Sequence, residues 1–238
     1  MSNLQAEWKK QAAEHAAQFV KSGMVVGLGH GSTTAFAVRR IAQRIAEGDL
    51  TGIVAVPCSD EVAGMATELG TPLTTLRSHP EVDLTIDGAD EVDPKLNLIK
   101  GGGGALLREK LVAKASAREI IVVDQTKLSA QLGLLFPLPV EVLPGTSPAE
   151  ATFIRTLGAD VSVRGGDRPF VTDSGNHILD CRWAGIDDLT ELASILEGRE
   201  NVADHGLFLG LTTDLVVAGE GGVRHFAAGE DWTEVYPV

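Results

Sequence analysis

Four consecutive glycines, Gly101–Gly104, separate an apolar run at Leu96, Leu98 and Ile99 from a segment with helical spacing at Leu107, Leu111 and Ala115. Glycine loses more conformational freedom on folding than any other residue. A run of them is retained where the backbone must come close to something, and N–H groups in such a loop suit an anion. A flexible linker is the plain alternative, but linkers rarely join an apolar strand directly to an apolar helix. Lys100 leads into the run. Upstream, the apolar segment Val82–Ile86 ends in Asp87-Gly88-Ala89-Asp90-Glu91, with Asp93 just beyond. Between Thr85 and Lys110 the chain therefore has to place a strand, an acidic turn, a glycine loop and a helix start in quick succession.

The flanking pattern shows what fold accommodates that. Leu4, Trp8, Ala12, Ala16, Phe19 and Val20 recur at helical spacing, and Gly23 ends the helix. Met24–Leu28 is a short apolar strand, broken by Gly29-His30-Gly31-Ser32-Thr33; the helix that follows runs through Ala35, Phe36, Val38, Ile41, Ala42 and Ile45 to Gly48. Ile53–Val56, Leu73–Leu76, Val82–Ile86 and Glu119–Asp124 are further strands, with a helix over about Glu61–Leu69. Alternation of this kind predicts an α/β fold with a Rossmann-like, mostly parallel sheet, which binds ligands at the carboxyl ends of its strands. The turns at Gly29–Thr33, Asp87–Asp90, Lys100–Gly104 and Asp124–Lys127 can then meet at one edge.

After Leu135 the pattern changes. Prolines punctuate a strand at Val140–Leu143, a helix covers about Ala149–Leu157 and a strand Asp160–Arg164. Phe170–Thr172 and His177–Cys181 flank Asp173-Ser174-Gly175-Asn176, a hairpin signal. Leu189–Leu196 is helical, and Leu215–Ala218 reads as a returning strand. The expected organisation is a catalytic domain of residues 1–135 plus 207–238, with a smaller α+β domain inserted at 136–206.

A net charge of −13 argues against nucleic acid and anionic membranes as partners. Cys58 and Cys181 have no metal or redox spacing, and no histidine pair resembles a metal motif. The chain is expected to be cytoplasmic, with no cofactor and no metal. Met1–Gly23 lacks the apolar core of a signal peptide, and no run is long enough to cross a bilayer.

Several residue groups can carry chemistry. His30, Gly31, Ser32 and Thr33 form a turn whose helix start offers N–H groups and a positive dipole end to a phosphate; a tight turn with Ser32 as N-cap is the simpler reading. The acids at Asp87, Asp90, Glu91 and Asp93 can bind hydroxyls or exchange protons, with a metal the weaker reading, or can form a solvated turn with an aspartate capping a helix. Lys100 can neutralise an oxyanion. Glu109 can serve as a general base if desolvated, or can simply favour the helix dipole or pair with Arg108 or Lys110. Lys127 follows the strongest strand, where a surface lysine is the usual outcome.

Taken together, these residues resemble the A-type ribose-5-phosphate isomerase family along nearly the whole chain. The Asp-Gly-Ala-Asp turn at Asp87–Asp90, followed by Lys-Gly-Gly-Gly at Lys100–Gly103 and Arg-Glu-Lys at Arg108–Lys110, is highly specific. The resemblance implies a metal-free aldose–ketose isomerase that interconverts ribose 5-phosphate and ribulose 5-phosphate through an enediolate. It implies Glu109 as the proton carrier and Asp87, Gly88, Ala89 and Asp90 as the sugar-binding turn. Lys100, Gly101, Gly102 and Gly103 match the substrate loop, His30–Thr33 a further substrate loop, and Lys127 a substrate-binding lysine. Asp87 or Asp90 assists ring opening. Dimers or tetramers are expected. Family members commonly have Thr at the position of His30, and Ala and Thr at those of Gly104 and Leu107. A sugar-phosphate sensor domain and an amino-sugar-phosphate deaminase are the alternatives; ammonia release assayed with an amino-sugar phosphate separates the second.

Overall fold

The computed structural model describes residues 3–230. In chain order the elements are α1 (Asn3–Ala17), β1 (Val25–Leu28), α2 (Thr34–Ala46), β2 (Val54–Pro57), α3 (Asp60–Glu68), β3 (Leu84–Asp87), β4 (Glu91–Val92), β5 (Leu98–Ile99), α4 (Leu106–Ala115) and β6 (Glu119–Asp124). A 3-10 turn at Gln125–Lys127 follows, then β7 (Leu138–Val142), α5 (Ser147–Thr156), β8 (Asp160–Val163), β9 (His177–Arg182), α6 (Leu189–Glu197), β10 (Val202–His205), β11 (Leu207–Phe208), β12 (Asp214–Gly219) and β13 (Gly222–Ala227). This is the expected α/β class. The described residues divide into two units: one holds residues 3–89, Arg108–Lys127 and residues 211–230, the other Asp90–Leu107 and Leu128–Gly210. Among the described residues no helix is long and apolar enough to cross a membrane.

The first unit is built on a six-stranded sheet of order β13-β12-β6-β3-β1-β2, parallel except for the β12–β13 pair. β3, β6 and β12 are buried at every residue, as parallel strands covered on both faces must be. Ala12, Ala13, Ala16, Ala17 and Val20 join strand residues Val26, Leu28, Ile86, Ile120 and Val216 in one apolar cluster. The alanine face lets helix and sheet approach closely. Leu73–Leu76 does not form the expected strand: Leu73 makes a single bridge to Ala55 and is 37% exposed. Pro72, preceding it, has no N–H to extend the ladder.

A charged knot closes this unit at its antiparallel edge. Arg118 donates to both carboxylate oxygens of Asp214, at 2.9 and 2.6 Å, and Thr213 Oγ1 and His225 Nε2 lie 2.7 and 2.8 Å from them. Burial alone would raise the Asp214 pKa, but these partners, Arg118 foremost, hold it down at about 2 against an ordinary 3.8. A depressed carboxylate contributes stability that is present above pH 3.8 and is lost as pH falls through about 2. At about 1.4 kcal/mol per pH unit, that contribution is about 2 kcal/mol. Asp214→Asn is expected to lower unfolding free energy at pH 7 by at least that amount, with the gap to the parent narrowing below about pH 4. Denaturant titrations at stepped pH check it; a gap constant with pH overturns the assignment.

The second unit contains a four-stranded antiparallel sheet, β10-β7-β9-β8, and a three-stranded one, β11-β5-β4. Its core gathers Ile99, Leu138, Val140, Val142, Ile154, Val161, Leu179 and Leu196. The turn expected at Asp173–Asn176 forms, with Thr172 N–H donating to Asn176 O at 2.9 Å. The expected pairing does not: Phe170–Thr172 contributes only the bridge Val171–His177. Both edges of β9 are already taken by β7 and β8, and the Thr172 hydroxyl donates instead to buried Glu141 at 2.9 Å. Burial pushes the Glu141 pKa up, against the hydrogen bonds of Asn176 and Thr172.

Candidate active site

Three of the expected turns stand side by side. β6, β3 and β1 are neighbours in that order and parallel, so the segments after Leu28, Asp87 and Asp124 leave the same edge of the sheet. His30, Gly31, Ser32, Thr33, Gly88, Ala89 and Lys127 are thereby collected within the first unit. Asp90, Lys100, Gly101, Gly102 and Gly103 belong to the second, and Glu109 lies on the first turn of α4, just after the chain re-enters the first.

Asp87 ends β3 fully buried, and its Oδ1 accepts the Gly88 N–H at 2.7 Å. A Cβ at position 29 would lie 2.1 Å from that oxygen. Gly29 is therefore glycine because the Asp87 side chain fills the space beside it. The acidic turn leads into β4 rather than a helix, so no aspartate in it is a helix cap.

The four acids of that turn separate by partner. Glu91 is fully buried, and its two oxygens accept the N–H groups of Gly133, Leu134, Leu135 and Phe136 at 3.0 to 3.2 Å. Asp93 accepts the N–H groups of Lys95 and Asn97, both at 2.8 Å, and the Asn97 amide at 2.9 Å. Both are occupied in holding loops. Asp87 and the half-buried Asp90 each accept one backbone N–H, those of Gly88 and Gly102, both at 2.7 Å.

In the glycine loop, the Gly102 N–H donates to Asp90 Oδ2 at 2.7 Å and the Gly104 N–H to Gly101 O at 3.0 Å. The expectation that this backbone offers its N–H groups to an anion is corrected for those two: one holds a catalytic candidate, the other closes the turn. A Cβ at Gly102 would meet Asp90 at 2.7 Å and the Phe136 ring at 2.9 Å, so only glycine fits. Lys100 is 2% exposed, with its ammonium 5.4 Å from the centre of the Phe208 ring. An ammonium over an aromatic face is attracted by the ring's negative π surface.

Helix α4 departs from the expected apolar stripe. Leu111 is 51% exposed, whereas Glu109 and Lys110 are each 3% exposed beside buried Leu106, Val112 and Ala113. Arg108 pairs outward with Asp60 at 2.6 Å. The helix turns Glu109 and Lys110 inward and an apolar residue outward, an inversion expected at functional positions.

At the phosphate-type turn, Ser32 is not the helix cap. Thr33 holds that place with helical angles and no side-chain cap bond, and the Ser32 hydroxyl accepts from Lys9 Nζ at 3.1 Å. Lys9 was not among the expected residues. It is 7% exposed, on the α1 face that also buries Ala12, Ala13 and Ala16, and a lysine on a buried face was the available signal. Burial lowers its pKa, Asp124 raises it, and Lys127 lowers it again. His30 Nδ1 lies 2.9 Å from the hydroxyl of Ser59, the N-cap of α3, which ties this turn to the next helix. Among the described residues no cluster of three or more His, Cys, Asp or Glu is placed to hold a metal ion. Cys58 and Cys181 are both buried and outside any disulfide.

A family model described as ribose 5-phosphate isomerase A (phosphoriboisomerase A) matches residues 54–222. The chain belongs to the ribose 5-phosphate isomerase A family. A ribose-5-phosphate isomerase A of Chloroflexus aurantiacus is 52% identical over 224 residues, covering 93% of this chain and 94% of that protein. Another, from Desulfatibacillum aliphaticivorans, is 50% identical over 222 residues, covering 92% and 96%. Among solved structures, a D-ribose-5-phosphate isomerase in complex with phospho-erythronic acid aligns with a TM-score of 0.92 at 35% identity, covering 95% of this chain and all of that one. Membership in the ribose 5-phosphate isomerase A family agrees with the fold class and with the resemblance carried by Asp87–Asp90, Lys100–Gly103 and Arg108–Lys110.

Proposed function

We propose that this chain interconverts D-ribose 5-phosphate and D-ribulose 5-phosphate, the aldose–ketose isomerisation of the non-oxidative pentose phosphate pathway, with Glu109 as the single proton carrier. The observation that carries this reading is the burial of ionisable groups where a core would put apolar ones: Asp87, Lys100 and Glu109 are 0%, 2% and 3% exposed. Glu91 and Asp93, close by in sequence, hold loops, whereas these three stand at the positions that the family resemblance gives to the reaction.

In this mechanism the Ser32–Thr33 turn, Lys9 and Lys127 hold the phosphate, whose remote binding energy positions the sugar. The Asp87–Asp90 turn holds the sugar hydroxyls, and Asp87 or Asp90 takes the ring hydroxyl proton as the ring opens. Glu109 then removes the proton from C2. The C2–H electrons form the C1–C2 double bond, and the C1 carbonyl oxygen takes up negative charge beside the Lys100 ammonium. Glu109 returns the proton to C1, the O2 hydroxyl proton passes to O1, and C2 is left as the carbonyl. Residues 136–206 form the smaller α+β domain in this reading, and the enzyme works in the cytoplasm as a homodimer or homotetramer.

One coupled assay tests the proposal. Purified protein is expected to convert ribose 5-phosphate at an unchanged rate with and without a chelator. No conversion sinks the isomerase reading, and activity lost to the chelator sinks the metal-free mechanism.

A further inference from the structure

Arg164, at the end of β8, lies in no motif that points to the reaction. Its guanidinium is committed on two sides. Nε and Nη2 donate to the two carboxylate oxygens of Asp180 on β9, at 3.0 and 2.5 Å, a fork that fixes the plane of the group. Nη1 donates to the carbonyl oxygens of Gly101 and Gly102, at 2.9 and 3.2 Å. The side chains of Arg164 and Asp180 are 17% and 21% exposed, so neither is a solvated surface charge.

The Gly101 carbonyl and the Gly102 N–H belong to one planar peptide. Arg164 therefore holds the oxygen end of the peptide whose hydrogen end donates to Asp90 Oδ2 at 2.7 Å. A cation on the carbonyl polarises the peptide and strengthens the N–H as a donor. It also locks the rotation of a unit that glycine leaves unusually free. The remaining contacts point the same way: the Arg164 carbonyl accepts the Phe170 N–H at 2.8 Å, and the Phe170 ring fills the space beside Gly104, where a Cβ would be 2.5 Å away.

We propose that Arg164 is a positioning residue for the reaction, acting through the Gly101–Gly102 peptide to set the Asp90 carboxylate that meets the sugar. The inference rests on the isomerase reading above. Turnover of ribose 5-phosphate by the unaltered protein tests that reading separately.

Arg164→Met removes both sets of donors while keeping an unbranched stem. It is expected to lower kcat/KM about 30-fold and to weaken binding of phospho-erythronic acid, measured by calorimetry, about 10-fold. Arg164→Lys, which keeps the charge but has no fork, is expected to recover part of each loss. The decisive measurement is the same calorimetry in an Asp90→Ala background. If Arg164 acts through Asp90, Arg164→Met there costs less than about 2-fold, because residues in one network are not additive. An equal loss in both backgrounds overturns the inference and leaves Arg164 a structural residue. Should Arg164→Met fail to fold, Arg164→Lys is carried through the same cycle with the same two outcomes.

Discussion

Glu109→Gln is expected to lower kcat by roughly 10²- to 10⁴-fold, the range a positioned general base supplies, while KM for ribose 5-phosphate changes by less than about threefold. The substitution removes the proton acceptor and little else. Gln has nearly the same shape, and Glu109 is 3% exposed in a packed first turn of α4, where a shape-matched side chain preserves the helix. The proton step is measured on its own by following exchange of the C2 hydrogen in D₂O by NMR. Exchange should disappear along with turnover. A variant that retains near-normal kcat, or that exchanges normally but does not release product, removes Glu109 from the role of proton carrier.

Glu91→Ala separates a structural acid from the proposed catalytic ones beside it. Four backbone N–H groups, those of Gly133, Leu134, Leu135 and Phe136, end on this fully buried carboxylate. Removing it leaves donors with no acceptor and costs about 4 kcal/mol, taking a few groups at roughly 1–3 kcal/mol each with partial relief from water. For a chain of this size the melting temperature should fall by roughly 8–16 °C. Residual activity below the new melting point should still be measurable. The opposite pattern, an unchanged melting temperature with abolished turnover, would mean that Glu91 reacts with the sugar and that the division of the four acids drawn above is wrong.

What was legible in the sequence followed from periodicity and local chemistry. β1, β3, β6 and β12 announced themselves because a parallel strand buried on both faces is a plain apolar run. The turn at Asp87–Asp90 and the loop at Lys100–Gly104 were visible because their residue types are costly unless used. What was not legible depended on partners far along the chain. β4, β5 and β11 are two residues each, too short for any pattern, and exist because they pair with one another. Nothing near Glu91 reveals that its acceptors serve a loop more than forty residues later. Arg164 reaches a glycine 63 positions away. Lys9 and α4 failed for another reason: a charge on a buried helix face contradicts the hydrophobic pattern, and pattern reading discards it. Those contradictions fall on residues to which the proposed mechanism gives a role, so the misreadings are themselves informative.

The strand order has a consequence for how the protein is made. β6 sits between β3 and β12, and β12 is encoded about ninety residues after it. A ribosome releases β6, with its sequence Glu-Ile-Ile-Val-Val-Asp, long before β12 exists to cover that side. Through the synthesis of everything from Leu128 to Gly210, the growing chain carries an open, apolar strand edge of the kind that recruits other chains. Closure of the sheet is a late, long-range event, which makes this a slow-folding topology. Low temperature during production, which weakens apolar association, should therefore raise the soluble yield.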